Sequence, residues 1–143
     1  MIVIASDHAG VELKAALFEI VRSSGRDIRD LGPSETTSVD YPDFAHRVAR
    51  AVAGGEADAG ILICGTGIGM SMSANRHRGV RAALCHDAFT AEMSRRHNDA
   101  NVLCLGARVT GLGVAEQMVR IFLETPYEGG RHQRRVEKIE REG

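Results

Sequence analysis

Tryptophan is missing from this 143-residue chain, and its aromatic complement is four Phe and two Tyr. So sparse a set argues against the stacking platforms on which proteins hold unpaired bases. Cysteine is scarce as well: Cys64, Cys85 and Cys104 are too few and too widely spaced for a disulfide scaffold or a zinc knuckle. Neither sign of charge predominates. Lys and Arg number 18 against 19 Asp and Glu, a formal net charge of −1, which gives no general attraction to nucleic acid or a membrane surface. No apolar run approaches the roughly 18 residues of a membrane span, and Met1-Ile2-Val3-Ile4-Ala5 shows no basic leader or cleavage site. The expectation is a soluble protein of a reducing compartment, most simply the cytoplasm, with neither nucleic acid nor membrane as partner. A hydrophobic fraction of 43% beside a charged fraction of 26% excludes a disordered chain. The length suits one domain spanning residues 1–143.

What is present is a regular alternation. Short apolar runs at 2–5, 27–31, 60–64, 81–85 and 101–105 are separated by amphipathic stretches at 11–24, 44–53, 88–96 and 113–123. Three of the runs are rich in Ile, Val or Leu with little polar alternation, the mark of strands covered on both faces. In the first amphipathic stretch Leu13, Leu17, Ile20 and Val21 recur at helical spacing, and Gly25 follows as a C-terminal cap. The pattern predicts right-handed crossovers and an α/β fold: a three-layer α/β/α sandwich with a five-stranded parallel Rossmann-like sheet. A charged segment over 131–142 adds a C-terminal helix with no strand after it, and 32–43, containing Pro33 and Pro42, reads as a surface loop. Ligands of such sheets sit beyond the carboxyl ends of the strands, which directs attention to the residues after Ala5, Cys64, Cys85 and Leu105.

After the third run the chain reads Cys64-Gly65-Thr66-Gly67-Ile68-Gly69-Met70-Ser71. Alternate glycines let several N–H groups converge, and a helix that follows adds positive potential, so the segment reads as an anion cradle or as a ligand-free tight turn. It is not a Walker loop, since no Gly-Lys-Ser/Thr follows, and it lacks dinucleotide-binding spacing. Cys64 at its mouth is a candidate base or nucleophile, or else a small buried hydrophobe, the role left to Cys85 and Cys104. Asp7 and His8 close the first strand and suit gripping hydroxyls or moving protons, with Asp7 equally able to cap a helix. His97 and Asn98 end the fourth helix, where His97 also suits a helix C-terminus. Arg131 and Arg135, four apart on a helix, make a natural phosphate clamp, unless the segment is a solvated tail.

Taken in register, Ser6-Asp7-His8-Ala9-Gly10, Asp40-Tyr41-Pro42, the stretch 60–69, Ser73-Ala74-Asn75, Arg96-His97-Asn98 and 127–133 resemble the ribose-5-phosphate isomerase B family, which includes allose- and galactose-6-phosphate isomerases. The resemblance implies interconversion of ribose 5-phosphate and ribulose 5-phosphate by proton transfer through an enediolate, within the non-oxidative pentose phosphate pathway, with no metal and no cofactor. It implies that Cys64 abstracts the proton, Thr66 steadies the sulfur, and backbone N–H groups from Gly65, Thr66, Gly67, Ile68 and Gly69, with Ser71, receive the enediolate charge. His97 is then the ring-opening acid, assisted by Asp7, while Asp7, His8 and Asn98 meet sugar hydroxyls. Arg108, Arg131 and Arg135 grip the phosphate beside His132. One branch of the family uses a glutamate just after the glycine loop instead; here Met70 stands there and the cysteine branch fits. In the family the segment corresponding to 127–143 reaches the neighbouring subunit, so a homodimer or a dimer of dimers with shared sites is expected.

Two other classes compete. A non-catalytic sugar-phosphate sensor would use the same cradle and arginines, but has no use for both a base and an acid. A redox or acyl-transfer thiol would call for a resolving cysteine or a Cys-His-acid trio, and no Cys-x-x-Cys occurs. Within the isomerase reading, six-carbon sugar phosphates stay open, since one hydroxymethylene is discriminated only modestly.

Overall fold

The computed structural model describes residues 1–141, so the predicted helix end at Glu142 lies outside the described residues, as does Gly143. Five strands alternate with helices: β1 (Ile2–Ser6), α1 (Val11–Ser23), β2 (Ile28–Asp30), α2 (Tyr41–Ala53), β3 (Ala59–Cys64), α3 (Ile68–Ala74), β4 (Ala82–Leu84), α4 (Ala88–Arg96), β5 (Val102–Gly106), α5 (Leu112–Glu124) and α6 (Arg131–Arg141). All pairings are parallel. β1, β3 and β5 form the interior of the sheet and are buried along nearly their whole length; β2 and β4, three residues each and part-exposed, form its edges. Apolar continuity in the sequence therefore tracked distance from the sheet edge.

The predicted sandwich is observed. Val48, Leu62 and Met70 belong to a core between the sheet and α2–α3; Leu17, Ile63, Leu103 and Met118 belong to the core on the opposite face, under α1, α4 and α5. Each of these side chains is fully buried and contributes about 1.5–3 kcal/mol by leaving water. The strand order is β2-β1-β3-β5-β4. After β3 the chain steps out to the edge as β4 and returns to fill the gap as β5. β1 leads outward to β2 on one side while β3 leads to the other, so the topological switch point lies between β1 and β3. Register brings Ser6 level with Ile63 and Cys64 level with Gly106, so three interior strands end at one rim.

One predicted boundary needs correction. The loop expected over 32–43 ends at Asp40, because Tyr41 and Pro42 open α2; proline is tolerated in a first turn, where its missing N–H has no helical partner. The rest of that loop is held from below by Lys14, whose side chain is 2% exposed and whose Nζ meets Asp30 Oδ1 at 2.8 Å and the Pro33 carbonyl. α6 buries only His132 and Val136, one turn apart. Its Glu140 reaches Arg81 Nη1 at 2.6 Å and the Gly79 N–H at 3.0 Å, which fixes the helix across the start of β4.

Candidate functional site

At the carboxyl rim, β3 delivers Cys64 into the floor of the glycine loop. The thiol is buried, and its Sγ accepts the Gly67 N–H at 3.1 Å. Thr66 makes a different bond from the one expected: its Oγ1 accepts the Ile68 N–H at 3.3 Å, so the sulfur is steadied by Gly67 backbone. Ser71 also turns elsewhere, its N–H to the Gly67 carbonyl and its Oγ to the Ile68 carbonyl at 2.7 Å. Among the described residues, the N–H groups of Gly65, Thr66 and Gly69 make no hydrogen bond within the chain. They are the donors left to a ligand.

Sterics fix this loop. Gly67 has φ +81°, and a Cβ there would lie 2.7 Å from Leu84 Cδ1 and 2.9 Å from the Leu105 carbonyl carbon. At Gly69 a Cβ would lie 2.4 Å from the Tyr41 ring. Gly67 is closed to any side chain, whereas one at position 69 would require the exposed Tyr41 ring to swing away. Arg108 follows β5, donates its own N–H to the Gly65 carbonyl and lays its guanidinium beside Gly65. Across the switch point, Asp7 is buried, accepts the Ala9 N–H at 2.9 Å and caps the short turn over 8–10. It acts as a cap, as one of its two readings had it, with its second oxygen available. His8 Nδ1 accepts the Val39 N–H at 3.2 Å, so a neutral His8 carries its ring proton on Nε2.

The other thiols differ. Burial first, then neighbouring cysteines, drives the Cys104 thiol far up from its ordinary range, and burial likewise raises Cys85 against hydrogen bonds from Thr90 and Ser94. Both are inert as bases.

His97, Asn98, Arg131, His132 and Arg135 form a second group. The His97 ring stacks on His132, centroids 4.3 Å apart and planes at 15°. Glu128 Oε1 lies 3.6 Å from His132 Nε2, while its Oε2 faces Arg96 at 3.8 Å. Burial is the main force holding His132 below the ordinary imidazole value, with Arg131, His97 and Arg135 adding to it and Glu128 opposing. Asn98, Arg131 and Arg135 are exposed.

The two groups do not meet within one chain. α4 runs back to the start of β5, and the Asn101 carbonyl pairs with the Gly60 N–H, at the opposite end of β3 from Cys64. Four strand residues at about 3.3 Å each place His97 and its neighbours well over 10 Å from the sulfur. A cavity of about 440 Å³ lies at this same end beside Asn98, lined by Arg76, Arg78, Arg81 and Ile139. Sequence reading assigned no part to Tyr41 or Glu128. The i, i+4 spacing of Glu128 and His132 was a usable signal; nothing local marked Tyr41 as the ring over Gly69.

A doubly wound parallel sheet with a thiol, a carboxylate, an imidazole and unpaired amides gathered at its switch point is the frame of an α/β enzyme acting on a small polar substrate. The chain belongs to the Ribose/Galactose Isomerase family, whose profile matches residues 2–139. It is 49% identical to ribose-5-phosphate isomerase B of Escherichia coli over 133 residues, 93% of this chain and 89% of that one. The type B ribose 5-phosphate isomerase of Trypanosoma brucei superposes with a TM-score of 0.96 at 50% identity, covering 99% of this chain and 97% of the other. The ribose-5-phosphate isomerase B of Mycoplasma genitalium, solved with ribulose-5-phosphate bound, gives 0.95 at 46%, covering 99% and 94%. Among the described residues no helix is long and apolar enough to cross a membrane.

Proposed function

We propose that this aldose–ketose isomerase interconverts ribose 5-phosphate and ribulose 5-phosphate, with Cys64 as the base that carries the proton between C2 and C1. The observation that carries the reading is the sulfur itself: buried at the floor of a loop whose amides at Gly65, Thr66 and Gly69 stay unpaired. Ring opening comes first, His97 giving a proton to the ring oxygen while Asp7 draws the one on O1. The Cys64 thiolate then takes the C2 proton, and the electron pair becomes the enediolate, whose negative oxygen is met by the loop amides. Return of that proton to C1, with the hydroxyl proton passing from O2 to O1, gives the ketose. A positioned acid or base contributes about 10²–10⁴-fold, and one oxyanion donor about 2.7–4 kcal/mol. His8 and Asn98 orient hydroxyls; Arg108, Arg131 and Arg135 hold the phosphate.

Because His97, Asn98, Arg131 and Arg135 stand at the far end of the sheet, we assign them to the site of a second copy, so that a dimer with two mutual sites is the smallest active unit. This extends the expected trans contribution from the C-terminal arginines to His97 and Asn98. The three thiols are unpaired, in keeping with a cytoplasmic setting. A coupled assay over ribose 5-phosphate, allose 6-phosphate and galactose 6-phosphate tests the substrate: the highest kcat/KM falls on the pentose. A higher value on either hexose would reassign it. Turnover in heavy water should incorporate solvent deuterium at carbon to the extent that the Cys64 S–H exchanges between the two transfers; a hydride shift would incorporate none.

A further inference from the structure

One feature of the amino-end cluster is unused by the isomerase chemistry: the buried His132 Nε2 has no hydrogen-bond partner. The residue is 6% exposed, and the 3.6 Å to Glu128 Oε1 is too long for a hydrogen bond. A nitrogen buried in this way leaves a desolvated group unsatisfied. Ligating atoms of His97, Glu128 and His132 all lie within 4.8 Å of one another.

We propose that His97, Glu128 and His132 form a binding site for a divalent transition metal of zinc's type, and that its occupation inhibits the enzyme. Two imidazole nitrogens and one carboxylate oxygen, with a fourth position open, are a donor set that zinc accepts. Zinc–ligand bonds near 2.0–2.2 Å demand donors roughly 3.3 Å apart, so the cluster contracts on binding and the His97 ring turns out of its stack. Glu128 is placed to follow, since its side chain is exposed. Arg131 and Arg135, with Arg96 on the other Glu128 oxygen, oppose an incoming dication and weaken its binding.

Binding stands on the geometry alone; inhibition rests on the role proposed for His97, whose ring nitrogen the metal would occupy in place of the transferable proton. Zn²⁺ titrated calorimetrically into full-length Cys64→Ser protein, which removes the loop thiol as a competing ligand, binds one ion per chain. Glu128→Gln and His132→Gln each weaken it at least tenfold. In the unmodified enzyme Zn²⁺ suppresses isomerisation with the same midpoint, a chelator restores it, and Glu128→Gln raises that midpoint at least tenfold. No binding, or binding indifferent to both substitutions, overturns the site; should His132→Gln fail to fold, Glu128→Gln alone decides. Zinc bound at the site without loss of turnover overturns the inhibition. A protein that binds zinc in this Glu128-dependent way yet turns over no ribose 5-phosphate would sink the substrate assignment and leave the site standing.

Discussion

The two ends of the sheet are built on different principles. At the carboxyl rim, position is set by backbone: aligned strand ends, a loop whose Gly67 has no room for a side chain, and a sulfur held by a main-chain N–H. At the amino end, position is set by side chains, with Arg81 on Glu140, Arg95 on Asp99 and Arg96 on Glu92, while Arg131 and Arg135 stand in solvent. In the proposed mechanism the carbon-bound proton transfer, which tolerates little displacement, falls to the rigid end, and ring opening by His97 to the other. In the proposed dimer, recognition of charge, which tolerates more, would fall to Arg131 and Arg135, exposed on α6 of the second copy.

The sharpest test of that contrast is Cys64→Ala, expected to lower kcat by about 10³–10⁴-fold while calorimetry still detects substrate binding; retained turnover would strip the carboxyl rim of its chemistry. Gly67→Ala comes next. Its Cβ meets Leu84 and Leu105 and its φ disfavours alanine, so denaturant unfolding should show a loss of about 2–4 kcal/mol and kcat should fall about 10²-fold. At the other end Arg135→Ala should raise KM about tenfold, a loss of ~1.4 kcal/mol, with kcat little changed. Mixed with Cys64→Ala subunits at low substrate, it should regain about a quarter of native activity, the share expected from random dimer exchange. A mixture no better than its parents would place both halves of the site in one chain.

The smallest effect is on pH. Burial holds His132 and His77 below the ordinary imidazole value, with His46 and Arg50 adding to the effect at His77. The unfolded chain therefore binds more protons as pH falls below about 6.5. The stability tied to these groups is full above that value and is lost as pH drops toward their folded values. Tm measured between pH 7.5 and 5.5 should decline, and less steeply in His132→Gln; an unchanged slope would remove His132 from the account.

Most of the fold was legible because each interior strand is an unbroken apolar run, and the glycine loop because its spacing has few other uses. The order β2-β1-β3-β5-β4 was not, since a choice between neighbours depends on contacts distant in sequence. Pro42 misled because it marks a loop and a first helical turn equally well. The hydroxyl of Thr66 was assigned to the sulfur; in the structure its oxygen accepts the Ile68 N–H, and the Gly67 N–H meets the sulfur. The separation of His97 from Cys64 was within reach: one precedes a parallel strand and the other follows one, which puts them at opposite ends of any such sheet.

The detour by which β5 enters after β4 also bears on how the chain is made. Until residues 102–106 have left the ribosome, the segment Ala59–Cys64 has β1 on one side and nothing on the other. An apolar strand edge of that kind invites pairing with other chains. Truncation anywhere between residues 65 and 101 therefore yields a sticky fragment, and the nascent polypeptide is most in need of a chaperone over that interval.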